Sequence, residues 1–327
     1  MSEKIFRIAV LFFADLNDRK GMLNATLDRI RYLKKHLPRN VQCDAICISH
    51  YLGPISRRVK KRINQERISG CTIDGIFIRV YWRRFSICDY VLRYKLHLIP
   101  CISKLKNYLF CNKLQQYDII SAHSFSAAEI ASHVFKRYNI PYCITWHGSD
   151  IHSHPFSNRF LLKRTRFLIE HASMNFFVCK ALLSKSEEIT QKGRKVVLYN
   201  GVSPIFRRCN EETKWEMKKK YGIQPKTKVV AFIGNLAPIK NALILPYLFS
   251  KIIQKYDGEI YFWIIGDGSL RKKIEEICNN LCISGQVYFL GNMYKRQQQV
   301  RMKKLQKSYS RESEIVCQFF LSRNNDS

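Results

Sequence analysis

Acidic side chains are scarce: 25 Asp and Glu stand against 56 Lys and Arg in 327 residues, a formal charge of +31. A field of that size directs attention to polyanions such as nucleic acid, anionic lipid headgroups or phosphorylated substrates, and says nothing of the fold. Long apolar runs are missing too. None reaches the roughly 18 residues that would span a bilayer, and the opening MSEKIFRIAVLFFADL turns acidic too soon for a secretory signal. The expectation is a cytoplasmic protein, at most peripheral on the inner face of the plasma membrane. No C-x-x-C spacing occurs among the twelve cysteines, and Cys43/Cys47 and Cys278/Cys282 are each separated by three residues, which fits neither a zinc ribbon nor a redox pair. They read as reduced core residues. His147, His152 and His154 lie close in sequence, but no Cys or carboxylate pattern completes a metal set, so neither metal nor cofactor is expected. RNA- and DNA-binding motifs, repeats and low-complexity blocks are also absent, which makes nucleic acid an unlikely partner despite the charge.

What is present is globular: 46% hydrophobic residues, with 20 Phe and 17 Tyr, in a chain long enough for two cores. Strand-like Ile5 to Phe13 precedes a helix whose apolar positions Leu23, Leu27, Ile30 and Leu37 recur at helical spacing until Pro38 stops it. A strand over Val41 to Ser49 follows. Further on come strands over Tyr117 to Ala122, Tyr142 to Trp146, Asn175 to Cys179 and Lys195 to Tyr199, with helices around Ser126 to Arg137 and Phe160 to Ser173. Alternation of this kind predicts an α/β, doubly wound parallel sheet. Asn200-Gly201-Val202-Ser203-Pro204 is a cluster of turn formers, so the boundary is placed there. Beyond it a helix over Glu211 to Tyr221 leads into strands Val229 to Gly234, Ile260 to Gly266 and Gln286 to Leu290, alternating with helices Leu243 to Lys255 and Leu270 to Asn279. The domain reading is 1 to 202, then a partial second domain over 203 to 293, then an aberrant tail over 294 to 327 in which the alternation stops.

In doubly wound sheets ligands gather beyond the carboxyl ends of the strands. Gly21 falls between the first strand and the first helix, where free N–H groups and the helix dipole suit a phosphate. Trp146-His147-Gly148-Ser149-Asp150 ends another strand and presents an imidazole, a flexible glycine and a carboxylate together. HGSD after a strand, His123 in AHSF, NGV at the boundary, Gly234 followed by Lys240, IIGDG at Ile264 to Gly268 and VYFLGN at Val287 to Asn292 occur in one order over about 290 residues. In that order the chain resembles the retaining family 4 glycosyltransferases, two Rossmann-like domains of GT-B fold. The absence of any D-x-D triplet agrees, since that triplet marks the metal-dependent GT-A class.

The resemblance implies a nucleotide-sugar donor and transfer to a glycan or a polyprenyl-diphosphate-linked acceptor, in surface polysaccharide synthesis. By the same resemblance His147 is the catalytic residue that hydrogen-bonds the transferred sugar. Gly21 approaches the donor diphosphate, Lys240 neutralises it as it leaves, and Asn292 and Met293 line the base. His123, Gly148 and Asp150 are candidate acceptor or sugar contacts. A fixed cation suits this chemistry, because breaking the anomeric C–O bond puts negative charge on the diphosphate.

Three departures are visible. Lys20-Gly21 stands where the family has Gly-Gly, Asn235 where it has an arginine, and the family's two glutamates eight residues apart, expected beyond Met293, are missing, since no two glutamates of the chain have that spacing. They suggest an interrupted reading frame, hence impaired activity, and leave open a non-catalytic remnant that binds acceptor or membrane through its first domain. The membrane link rests on residues 51 to 100, with 11 basic against 3 acidic side chains and Arg57 to Arg62 followed by Trp82, Phe85, Val91, Leu92 and Leu96.

Overall fold

In the computed structural model, residues 4–14, 21–52, 68–85, 110–201 and 210–291 are described. The chain divides into two compact units, Met1–Gly201 and Val202–Ser327. In the first, β1 (Phe6–Phe13) alternates its side chains between two cores, as a period of two requires. Ala9 and Leu11 join one buried cluster, while Val10 and Phe12 join the other. The second cluster is closed by α1 (Gly21–His36), whose Leu23, Leu27 and Ile30 lie on one helical face against Cys43, Ala45 and Cys47 of β2 (Val41–Leu52). Leu27 is 2% exposed, so truncation to Ala would cost about 2–5 kcal/mol.

The sheet has eight strands in the order β3-β4-β2-β1-β5-β6-β7-β8. These include β3 (Gly70–Ile73), β4 (Ile76–Phe85), β5 (Ile119–His123), β6 (Tyr142–Trp146), β7 (Met174–Phe177) and β8 (Lys195–Val197). All pairings are parallel except β3 with β4. The face opposite α1 is covered by α2 (Phe125–Tyr138), a short helix α3 (Ser149–His152), α4 (Arg159–His171) and α5 (Lys180–Glu187), as the burial of Ile130, Ile151, Leu168 and Leu182 in one cluster shows. Two caps explain where helices start and stop. Asn158 accepts the Leu161 N–H at 2.8 Å ahead of α4, and Asn139 ends α2 in a left-handed conformation, φ 55°.

Four elements of the first unit, β3, β4, α3 and α5, lie outside the sequence-based expectation. The β3–β4 hairpin closes on Asp74 and Gly75, both at positive φ (49° and 79°), as a two-residue Asp-Gly turn demands. It draws Trp82 out of the expected interfacial surface: the ring packs against the α1-side core and its Nε1–H donates to the Ile68 carbonyl at 2.7 Å. Arg57 to Arg62, Val91, Leu92 and Leu96 lie outside the described residues. No described helix is long and apolar enough to cross a membrane.

The second unit opens with α6 (Glu211–Lys220) and continues as a three-stranded parallel sheet in the order β11-β10-β9, formed by β9 (Lys228–Ile233), β10 (Ile260–Ile265) and β11 (Val287–Gly291). Its core brings Leu245 and Phe249 of α7 (Leu245–Lys255) and Ile274 and Cys278 of α8 (Arg271–Asn280) onto Phe262 and Ile264. Phe249 and Phe262 stack with centroids 4.2 Å apart.

Candidate functional site

β1 pairs with β2 on one side and β5 on the other. The helices that follow β1 and β5, α1 and α2, pack on opposite faces. That divergence makes the β1/β5 boundary the topological switch point, where crossovers leave room above the strand ends. His123 is the last residue of β5 and His147 follows the last residue of β6. The parallel register pairs His123 with Thr145.

His123 is 1% exposed, and its Nδ1 lies 3.1 Å from both Thr26 Oγ1 and His147 Nε2. The Thr26 hydroxyl donates its single proton to the Met22 carbonyl at 2.9 Å, so towards His123 its oxygen accepts. His123 Nδ1 thus links the Thr26 oxygen of α1 to His147 Nε2 in one buried polar contact. Burial, and secondarily the charges of His147 and Arg29, hold the His123 pKa well below the imidazole range. Burial, then Arg29, lowers that of His147 to about 4. His147 is therefore neutral near pH 7 and suited to hydrogen bonding, not to carrying a proton through a reaction.

The loop after His147 is held from within. Asp150 is 9% exposed and its carboxylate accepts the Gly148 N–H at 2.8 Å and the His147 N–H at 3.1 Å. Burial pushes its pKa up while those N–H groups act the other way. The carboxylate fixes the loop that presents His147. Gly148 has φ 155° with no atom within 4 Å of a Cβ built on it, so conformation and not space demands glycine. Below the loop, Trp146 is fully buried and its Nε1–H donates to Asn175 Oδ1 at 3.0 Å.

Gly21 is the first residue of α1, and a Cβ there would also meet nothing within 4 Å; the N–H groups of a helix's first turn have no partner within the helix. A surface depression of about 570 Å³ lined by Lys34, Leu37, Asp44 and neighbours lies at the other end of α1, by the start of β2. It is away from the strand ends and has no part in the site.

In the second unit the ends of β9, β10 and β11 are stitched together. Gly234 N–H donates to Ile265 O at 2.9 Å, Gly266 N–H to Gly291 O at 2.8 Å and Leu236 N–H to Asp267 O at 3.0 Å. A Cβ on Gly266, at φ 137°, would come within 1.9 Å of the Gly234 oxygen, which is why the IIGDG segment needs that glycine. Lys240 ends the 3-10 turn Pro238–Lys240 after β9, exposed and without a carboxylate partner among the described residues. Asn235 is exposed in the same loop. Asn292 and Met293 lie outside the described residues.

Of the predicted residues, the first unit thus brings His123, His147, Gly148 and Asp150 together at the strand ends, with Gly21 at the head of α1; Lys240 belongs to the second unit. Sequence reasoning missed Thr26, Arg29 and Thr145. Arg29 Nη1 donates to Thr145 Oγ1 at 2.8 Å across 116 residues of chain, a contact that no local pattern signals.

Residues 55–205 match the family model Glycosyltransferase Family 4, and residues 213–309 match Glycosyl transferases group 1. The fold is that of the GT-B glycosyltransferases, and the two family matches support a glycosyltransferase. N-acetyl-alpha-D-glucosaminyl L-malate synthase of Bacillus anthracis is 24% identical over 227 residues, 67% of this chain and 57% of that protein. The putative teichuronic acid biosynthesis glycosyltransferase TuaC of Bacillus subtilis is 25% identical over 171 residues, 52% of this chain and 42% of the relative. The matches therefore span about half the length of these relatives. Among solved structures, Anabaena HepE in complex with UDP and glucose superposes with a TM-score of 0.59 at 16% identity, over 90% of this chain and 71% of that one. The second family match runs past Met293, through residues read from the sequence as an unrelated tail.

Proposed function

We propose that this glycosyltransferase-family chain moves a sugar from a nucleotide-sugar donor to a glycan or lipid-linked acceptor with retention at the anomeric carbon. The observation that carries the reading is the neutral His147, presented at the switch point by the buried His123 and the Asp150-anchored loop. A neutral imidazole donates its one ring N–H to a sugar hydroxyl without placing a positive charge beside the cation-like anomeric centre. In the reaction the acceptor hydroxyl attacks from the face the diphosphate leaves. The C–O bond to phosphate breaks, the bond to the acceptor oxygen forms, and the hydroxyl proton passes to the departing phosphate oxygen. No enzyme nucleophile is required.

Gly21 offers backbone N–H groups to the diphosphate and Lys240 a cation. UDP in the HepE complex and the polymer named for TuaC support a nucleoside-diphosphate sugar and a polysaccharide product. The test is calorimetric UDP binding, followed by transfer or donor hydrolysis with a panel of UDP-sugars. His147→Ala should lower turnover by about 10² to 10³, and Lys240→Ala should weaken UDP binding. A chain that does not bind UDP, or whose turnover ignores His147→Ala, overturns the reading.

A further inference from the structure

Arg29 is a cation at the strand ends that the transfer reading leaves without a task. It lies eight residues along α1 from Gly21, about 12 Å along the helix axis, so it is not part of the first-turn N–H groups. Its long side chain reaches Thr145, the register partner of His123, and so enters the same layer as the two imidazoles. The bond to the Thr145 hydroxyl is its only hydrogen bond among the described residues. A guanidinium has five N–H donors in a rigid fork that fits a carboxylate or phosphate.

Among the described residues the nearby acids are committed elsewhere. Asp28 pairs with Arg31 at 2.5 Å, and the Asp150 carboxylate is taken up by backbone N–H groups. Burial lowers the pKa of Arg29, and the charge of Arg29 in turn lowers those of His147 and His123 after burial has done so. Among the described residues a partly desolvated cation thus stands beside two neutral imidazoles with no carboxylate against it. It would also oppose positive charge growing on a sugar nearby, unless an anion sat against it.

We infer that Arg29 receives an oxyanion of the acceptor, a carboxylate or a phosphate, held in the guanidinium fork beside His123 and His147. The word acceptor rests on the transfer reading; the anion site itself does not. An oxyanion there neutralises the guanidinium at the point where transfer builds positive charge, and fixes the acceptor by a group remote from its reacting hydroxyl.

Calorimetry on the full chain with L-malate, with inorganic phosphate and with glycerol as the neutral control tests this, each in wild type, Arg29→Gln and Arg29→Lys, with UDP titrated in parallel. Wild type should bind L-malate or phosphate and ignore glycerol. Arg29→Gln should weaken that binding at least tenfold, Arg29→Lys should fall between, and UDP affinity should stay unchanged in all three. Binding of L-malate alone assigns a carboxylate acceptor, and of phosphate alone a phosphorylated one. Anion affinity equal in wild type and Arg29→Gln, or no anion binding in wild type, overturns the inference. Loss of UDP binding in wild type would instead sink the transfer reading and leave the anion result standing. Should Arg29→Gln misfold, Thr145→Val serves in its place: it frees the guanidinium from the Thr145 hydroxyl and should weaken anion binding with β5 and β6 still protected from hydrogen exchange. Full anion affinity in a folded Thr145→Val and in Arg29→Lys counts against the site.

Discussion

Replacing His147 by Gln removes a titrating group while keeping a polar atom near the position of Nε2. In the folded chain burial and Arg29 hold the His147 pKa at about 4, against an ordinary value of 6.5. Below pH 6.5 the unfolded chain therefore takes up a proton that the folded chain refuses until about pH 4. The sign follows directly: the unfolded state binds more protons in this window, so stability is full above pH 6.5 and falls as the pH drops. About 2.5 pH units at about 1.4 kcal/mol each amount to about 3 kcal/mol lost between pH 6.5 and 4 from this residue alone. Asp150, whose carboxyl is raised by burial, acts with the opposite sign at the acid end, which is why the comparison is between wild type and His147→Gln at each pH. Urea unfolding read by hydrogen exchange in peptides covering β5 and β6 reports the first unit without the second. The Gln variant should lose less stability on acidification, by about 3 kcal/mol. Parallel pH profiles for the two proteins would refute the claim that His147 is buried and neutral.

Three further outcomes are expected. Asn175→Ala leaves the Trp146 indole N–H and the Ile169 carbonyl without their partner at a fully buried position, and should destabilise the first unit by about 2–4 kcal/mol in urea unfolding. Gly148→Ala meets no atom but is strained at φ 155°, so it should cost about 1–3 kcal/mol and, by moving His147, reduce transfer activity while exchange protection of β5 and β6 persists. Gly266→Ala forces a Cβ to 1.9 Å from the Gly234 oxygen; limited proteolysis should then cut the second unit sooner and UDP binding should weaken, with the first unit as protected as in wild type.

Local periodicity and punctuation made most elements legible. The helical spacing of Leu23, Leu27 and Ile30 located α1, and Pro38 stopped it. The β-branched and aromatic run Tyr142–Trp146 was β6 to the residue, because a strand buried on both faces writes itself as a short apolar run. Asp74-Gly75 is an equally local signal of the β3–β4 hairpin, since both residues take the positive φ of a two-residue turn. The HGSD and IIGDG segments were visible for a related reason: glycine is demanded by a dihedral angle or by a close backbone approach, and both act within a few residues.

What the sequence could not supply was adjacency. Thr26 meets His123 across 97 residues and Arg29 meets Thr145 across 116, and both contacts exist only because β1 lies between β2 and β5 and α1 packs over the ends of β5 and β6. Nor could spacing show that Asp150 faces its own loop's N–H groups, or that Trp82 is tied to Ile68. Residue type and local rhythm fix which elements form, since backbone conformation responds to near neighbours. Which side chains share a low-dielectric volume, and hence which imidazole stays neutral, depends on the order of strands in the sheet, and that is settled only when the whole unit packs.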